Sequence, residues 1–123
     1  MIQAALERHW SDIADLEMFH EIYHEDVVVE YPQTGERVVG RANLWAMREK
    51  TPVTFTFSVH RVHGHGNLWI TEGVLTANDQ PMRTVTIMEF RDGKVARETT
   101  YVGQPWEPPA WRAQRVEKDE KDA

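Results

Sequence analysis

Apolar positions in the first 20 residues recur at helical spacing. Ile2, Leu6 and Trp10 stand at i, i+4 and i+8 with Ala5 and His9 beside them, so residues 2–10 are predicted to form a short amphipathic helix. Ser11 or Asp12 can cap a second helix, in which Ile13, Leu16, Phe19, His20 and Tyr23 share one face while Asp15, Glu17 and Glu21 lie off it. His24-Glu25-Asp26 ends the helical pattern. Residues 27–31 are β-branched and aromatic, Pro32 with Thr34-Gly35 makes a turn, and Arg37-Val38-Val39 returns before Gly40 closes the hairpin. Residues 41–50 predict a third helix with Leu44, Trp45 and Met47 apolar. It must stop before Thr51-Pro52, because the residue preceding proline avoids the α region.

After Pro52 the period changes to two. Val53, Phe55, Phe57 and Val59 alternate with Thr54, Thr56, Ser58 and His60, which predicts a half-buried strand. A turn at Gly64-His65-Gly66-Asn67 leads into a strand over 68–77, and Asn78-Asp79-Gln80-Pro81 turns the chain into a third over 82–90. Asp92-Gly93 is a hairpin signal before a last strand over 95–102. Three hairpins in series behind three helices predict an α+β domain, with the helices packed against one face of a curved, mainly antiparallel sheet. Several strands carry apolar residues on both faces: Trp69 and Leu75 oppose Leu68, Ile70 and Val74, and Met88 and Phe90 oppose Val85 and Ile87. A second apolar face needs a cover, so a homodimer through the outer face of the sheet is expected.

Composition narrows the picture. A chain of 123 residues fits one core, expected over 1–115 with a charged, flexible tail over 116–123. With no cysteine, there is no disulfide, thiolate metal site or cysteine nucleophile, which fits a reducing cytoplasm. Glu7 and Arg8 interrupt the N-terminal apolar run, so no signal peptide is expected, and no apolar stretch is long enough for a membrane helix. The net charge of −6 is concentrated early: residues 1–30 hold eight acids and one base, Arg8. That balance argues against nucleic acid as a partner and reads as a solvated helix face.

The order of elements and the local motifs resemble the SnoaL-like domains of the nuclear transport factor 2-like superfamily. The resemblance rests on Tyr23-His24-Glu25-Asp26-Val27-Val28-Val29-Glu30-Tyr31-Pro32, on Gly35-Glu36 followed by Gly40-Arg41, on Arg91-Asp92-Gly93-Lys94-Val95, and on Tyr101 with Pro105 and Pro108-Pro109-Ala110-Trp111-Arg112. It implies a cystatin-like cone: a sheet wrapped around the helices, a largely apolar pocket between them, and a homodimer. It does not name a reaction, since such folds serve many. Ketosteroid isomerases place a catalytic aspartate immediately before the proline that ends the first strand, where this chain has Tyr31. Their first-helix tyrosine has no counterpart in residues 1–10. The late-strand aspartates of SnoaL cyclases and limonene epoxide hydrolases are missing too, since Asp79 and Asp92 fall in turns.

What polar chemistry remains is carried by a few residues. Glu72 interrupts the apolar run Leu68, Ile70, Val74; if that face lines the pocket, desolvation raises its pKa and makes it a general base or acid. Otherwise it pairs with an arginine such as Arg83, or its face looks outward. Tyr31 is either a donor to a ligand or a core tyrosine, and His20 is either a proton-transfer partner or a core histidine held by a carbonyl. On the last strand, either Glu98 and Thr100 or Thr99 and Tyr101 see the pocket, and the resemblance favours Tyr101. Trp10, Trp45, Phe57, Tyr101 and Trp106 are the expected apolar ligand contacts, and Trp111 is expected to pin the C-terminal segment back onto the sheet. His60, His63 and His65 cluster, but Gly64 and Gly66 break the strand there, so no metal is assigned. The expected ligand is a small apolar or amphipathic molecule, bound without a cofactor. Three roles fit it: acid–base catalysis, ligand binding without turnover, or a dimer whose cone is filled by Trp10, Phe19, Phe57 and Tyr101.

Overall fold

The structure, a computed structural model, describes residues 2–11, 13, 15–51 and 54–118. Three helices, α1 (Ile2–Ser11), α2 (Leu16–His20) and α3 (Arg41–Glu49), accompany six strands: β1 (Tyr23–Tyr31), β2 (Glu36–Val39), β3 (Phe55–His65), β4 (Leu68–Ala77), β5 (Gln80–Arg91) and β6 (Lys94–Gly103). A 3-10 helix over Ala110–Arg115 follows. All six strands form one sheet in the order β2-β1-β6-β5-β4-β3. β1 and β6 run parallel and every other pair is antiparallel. Among the described residues no helix is long and apolar enough to cross a membrane.

The second helix is shorter than the apolar spacing predicts. Asp15 caps it, its carboxylate accepting from the Met18 N–H at 3.2 Å; the alternative cap Asp12 lies outside the described residues. Tyr23, in phase with the helix by sequence, instead opens β1, because the Val95 N–H donates to the Ile22 carbonyl (2.8 Å) and Tyr23 pairs with Val95. Sheet pairing here overrides helical periodicity. The β3 turn is also tighter than expected: the strand runs through Gly64 and His65, leaving Gly66-Asn67 to reverse the chain. The two later hairpins turn at Asn78-Asp79 and Asp92-Gly93, all four residues at positive φ, as the twist-matched two-residue hairpin requires. Val53 lies outside the described residues.

The helices pack against the concave face. Leu6 and Trp10 of α1, Phe19 of α2 and Leu44 of α3 pack on Tyr23, Val27, Val29, Met88, Phe90 and Val95, all of them buried. Two bulges set which strand residues join them. Phe90 pairs with Val95 but Glu89 pairs with Arg97, so Ala96 is an extra residue in β6. Val59 pairs with Gly73 but Arg61 with Glu72, so His60 is an extra residue in β3. Each extra residue inverts the alternation beyond it. Past Ala96 the inward positions are therefore Glu98, Thr100 and Val102, opposite the inward Met88, Thr86 and Thr84.

Gly73 is where β4 lets Phe57 in. A Cβ on this buried glycine would sit 2.5 Å from the Phe57 ring and 2.6 Å from the Ser58 carbonyl oxygen. Since a backbone oxygen cannot step aside, Gly73→Ala is expected to destabilise the chain by about 1–3 kcal/mol. A urea midpoint unchanged from the parent would refute that expectation.

Beyond Gly103 the chain leaves the sheet. Trp111 does not pin this segment back: its side chain is 83% exposed, and Trp106 is 91% exposed. The 3-10 helix nonetheless continues through Arg115, with Arg112 lying 5.8 Å from the Trp111 ring centre. The rest of the charged tail, residues 119–123, lies outside the described residues.

Candidate functional site

The concave face and the helices do not close on each other completely. They leave a cavity of about 480 Å³, so the cone is not filled. Its walls are mostly apolar: Trp10 of α1, Leu16 and Phe19 of α2, Met47 of α3, Phe57 of β3 and Leu75 of β4. Trp10 stacks on Phe57, with centroids 4.5 Å apart, and is oriented by its indole N–H, which donates to the Thr71 hydroxyl at 3.1 Å. Two adjacent, satisfied aromatics make a stiff wall.

One side of the cavity is polar. Glu98 points in from β6, flanked in the sheet by Val29 and Met88. Its carboxylate accepts from the buried Tyr23 hydroxyl at 2.6 Å and from the Thr100 hydroxyl at 3.1 Å. Arg48, on the last turn of α3, brings a guanidinium nitrogen to 4.0 Å from the same carboxylate and lies over the rings of Phe19 (4.7 Å) and Tyr23 (5.6 Å). Burial works against the Arg48 charge, but Tyr23, Glu98 and Tyr31 around it more than compensate and raise its pKa above the ordinary value. Burial, reinforced by Glu98, pushes the Tyr23 phenol well above its ordinary pKa. Burial likewise raises Tyr31. Both phenols therefore stay protonated and can donate. Thr84, Thr86 and Thr100 add hydroxyls along the β5–β6 floor.

Arg48 is held from behind by His20. The His20 Nδ1 lies 2.7 Å from the Leu16 carbonyl, which can only accept, so this nitrogen carries the proton. Its Nε2 then offers a lone pair to an Arg48 N–H at 3.4 Å. Burial first, then the charge of Arg48, lowers the His20 pKa and keeps the ring in this neutral form. His20 is thus a positioning residue one layer behind the cavity wall. His9, also buried, differs: neither ring nitrogen has a hydrogen-bond partner, and the ring stacks on Phe19 at 4.0 Å. Burial, followed by the nearby Arg48 charge, lowers its pKa to about 3.

Of the residues singled out by sequence, Trp10, Phe57 and Tyr31 line the cavity and His20 backs it. Glu72 does not. It belongs to the outward face of β4, where Arg61 donates to it at 2.6 Å and His63 lies at 3.1 Å, so its pKa is lowered rather than raised, chiefly by the Arg61 hydrogen bond. Tyr101 faces outward, 43% exposed, because the bulge at Ala96 inverts β6. Trp45 lies outside the cavity, in a surface depression with Glu25, Arg41 and Ala42, and Trp106 stands on the exposed C-terminal segment. Arg48 escaped the sequence reading because charged helix residues are ordinarily solvated. The available signal was its phase, four residues after the buried Leu44. Among the described residues no three His, Asp or Glu converge as a metal-holding group.

Residues 3–98 match the family model of the SnoaL-like domain. An NTF-2 like protein of unknown function from Burkholderia xenovorans is 46% identical, with 96% of this chain and 94% of that chain covered and a TM-score of 0.89. A protein from Kribbella flavida, provisionally assigned as a ketosteroid isomerase, is 29% identical, covers 96% and 89% of the two chains, and gives a TM-score of 0.86. An uncharacterised bacterial protein with a cystatin-like fold, from Silicibacter pomeroyi, shares the fold at 19% identity and TM-score 0.68, with 83% and 74% covered. No curated protein matches.

Proposed function

The chain belongs to the SnoaL-like domain family, and from that premise we propose that its cavity binds a small, largely apolar molecule whose carbonyl or hydroxyl group meets Arg48 and Glu98. The observation that carries this reading is a buried ion pair facing an otherwise apolar cavity of about 480 Å³, a volume suited to a small ligand. Hydrophobic packing would satisfy a purely structural core at lower desolvation cost.

The arrangement supports acid–base chemistry without a cofactor, of the isomerase, cyclase or hydratase type. Glu98 is the group to take a proton from, or return one to, the bound molecule. Arg48 and the Tyr31 hydroxyl are the donors for negative charge developing on a ligand oxygen. Because Arg48 and Glu98 cancel, the cavity carries no net charge from the pair and favours an uncharged ligand. The ketosteroid isomerase designation of the Kribbella flavida protein falls in the same class of reaction. A second reading, binding without turnover, draws on the hydrogen bonds that already hold Glu98 through Tyr23 and Thr100.

The test is a thermal-shift screen against uncharged apolar ketones, alcohols and epoxides. A ligand at 100 times its Kd stabilises the native state by about 2.7 kcal/mol. Glu98→Gln, which keeps the Tyr23 hydrogen bond, is expected to weaken that ligand about 10- to 100-fold, and Tyr31→Phe less. Solvent deuterium appearing in the ligand, and lost in Glu98→Gln, separates catalysis from binding. If no compound in the panel stabilises the chain, or Glu98→Gln binds unchanged, the proposal fails.

A further inference from the structure

Three threonines stand side by side across the concave face of the sheet. Thr71 of β4 pairs with Thr86 of β5, and Thr86 pairs with Thr100 of β6. The outer two are engaged: Thr71 accepts from the Trp10 indole at 3.1 Å, and Thr100 donates to Glu98 at 3.1 Å. Thr84, two residues along the same face, donates to the Gly73 carbonyl at 3.3 Å. Thr86 differs from all three. Its hydroxyl has no hydrogen-bond partner among the described residues, although threonines opposite one another in a sheet can bond to each other.

The Thr86 side chain is 2% exposed and lines the cavity. Its oxygen is not sealed in as the His9 nitrogens are, since those are the only enclosed and unpartnered side-chain atoms among the described residues. The little surface Thr86 keeps therefore includes the hydroxyl, and it opens on the cavity. A hydroxyl withdrawn from bulk water without a partner is unfavourable to the fold. Valine has the same shape and the same preference for strand, so packing gives no reason for an oxygen here.

Position indicates what that oxygen can meet. Cross-strand neighbours hold their Cβ atoms roughly 4.5–5.5 Å apart, and Thr100, the neighbour of Thr86, touches the Glu98 carboxylate. A ligand atom on Glu98 and another on Thr86 are then roughly 4–6 Å apart, the spacing of two oxygens carried by one six-membered ring. Threonine donates or accepts but offers no charge, so the group it meets is a neutral hydroxyl or carbonyl. On the far side of Thr86, the stacked Trp10 and Phe57 present an apolar wall to such a ring.

We infer that Thr86 is a second ligand contact. The inference rests on the reading that Arg48 and Glu98 meet one carbonyl or hydroxyl; the ligand carries another neutral oxygen on the same ring, and the Thr86 hydroxyl bonds to it. The ligand class narrows from apolar ketones and alcohols to cyclic hydroxyketones, diols and diketones.

The test pairs Thr86→Val with two ketones that differ by one hydroxyl, 1-tetralone and 4-hydroxy-1-tetralone. Titration calorimetry on wild type is expected to favour the hydroxylated ketone by about 5-fold. Thr86→Val should bind it about 10-fold more weakly, with 1-tetralone changed less than about 2-fold, and Thr86→Ser should restore the preference. Without ligand, Thr86→Val is expected to raise the melting temperature by about 2–5 °C, because it removes an unpartnered hydroxyl. A threonine serving only the fold would give the opposite sign. A lower melting temperature for Thr86→Val, equal binding of the two ketones, a preference that Thr86→Val leaves intact, or a pair that does not bind while other ketones do would each overturn the second contact and leave the cavity reading standing. No binding by any ketone, alcohol or epoxide of the screen overturns both.

Discussion

Arg48→Met is expected to destabilise the chain by about 3–5 kcal/mol at pH 7, the cost of stranding a buried carboxylate. For a domain of this size that lowers the melting temperature by about 12–20 °C. The partners are unequal. The Glu98 side chain is 3% exposed and that of Arg48 19%, so the arginine can recover solvation through the cavity and the carboxylate cannot. At 4.0 Å and an effective dielectric near 20, the attraction between them is about 4 kcal/mol, of the same size as the expected loss. Removing the charge from the other side should therefore cost less: Glu98→Gln keeps its acceptor for Tyr23 and leaves Arg48 facing the cavity. The double variant Arg48→Met/Glu98→Gln should regain most of the stability lost in Arg48→Met. Calorimetry of the four proteins closes this cycle. Additive losses would mean that the pair is not coupled.

The second large effect concerns acid. A histidine with an unfolded pKa near 6.5 and a folded value of about 3 binds its proton only after unfolding, within that window. Stability contributed by neutral His9 is thus complete above pH 6.5 and is lost as the pH falls toward 3. The slope is about 1.4 kcal/mol per pH unit, on the order of 5 kcal/mol in all. His20, lowered by its burial, acts in the same sense. The carboxylates of Asp26 and Glu72, both lowered chiefly by arginine hydrogen bonds, lose their contribution at more acid pH than the histidines. His9→Leu is therefore expected to flatten the stability profile between pH 6.5 and 4.5. At pH 7 it should be neutral or stabilising by about 1–2 kcal/mol, because it removes two buried ring nitrogens that have no partner. Urea unfolding at half-unit pH steps measures both. A profile parallel to the parent's would show that His9 is not the group responsible.

Much of the fold was legible because its signals were local and redundant. The α1 stripe, Pro32 and Pro52 as stops, the period-two run after Pro52 and the Asp92-Gly93 turn each point to an element the chain does form. The site was legible only where side-chain type agreed with location, as for Trp10, Phe57 and Tyr31. It was hidden where a bulge intervened. Counting by twos from the inward Val95 brings Tyr101 inside, and the extra Ala96 puts Glu98 and Thr100 there instead. No residue type marks Ala96 as extra; the register comes from pairing with β5. Glu72 shows the converse: an alternating apolar run fixes which residues share a face, but not which side the helices cover. Arg48 was obscured because its burial depends on Glu98 and Tyr23, 50 positions later and 25 earlier in the chain.

The parallel pairing of β1 with β6 joins the first strand of the sheet to the sixth. Tyr23 and Glu98, hydrogen-bonded to each other, are 75 positions apart. During synthesis the helices, β1 and β2 emerge before the rest of the floor they pack on, because β6, the neighbour of β1 on its other side, is the sixth strand of the sheet. The aromatic residues of the early half are covered on this side only once residues 94–103 are available, so the core is expected to close late in the folding of the domain. The eight acids of residues 1–30 sit on that same early segment, and their like charge disfavours its association with another copy while it is uncovered.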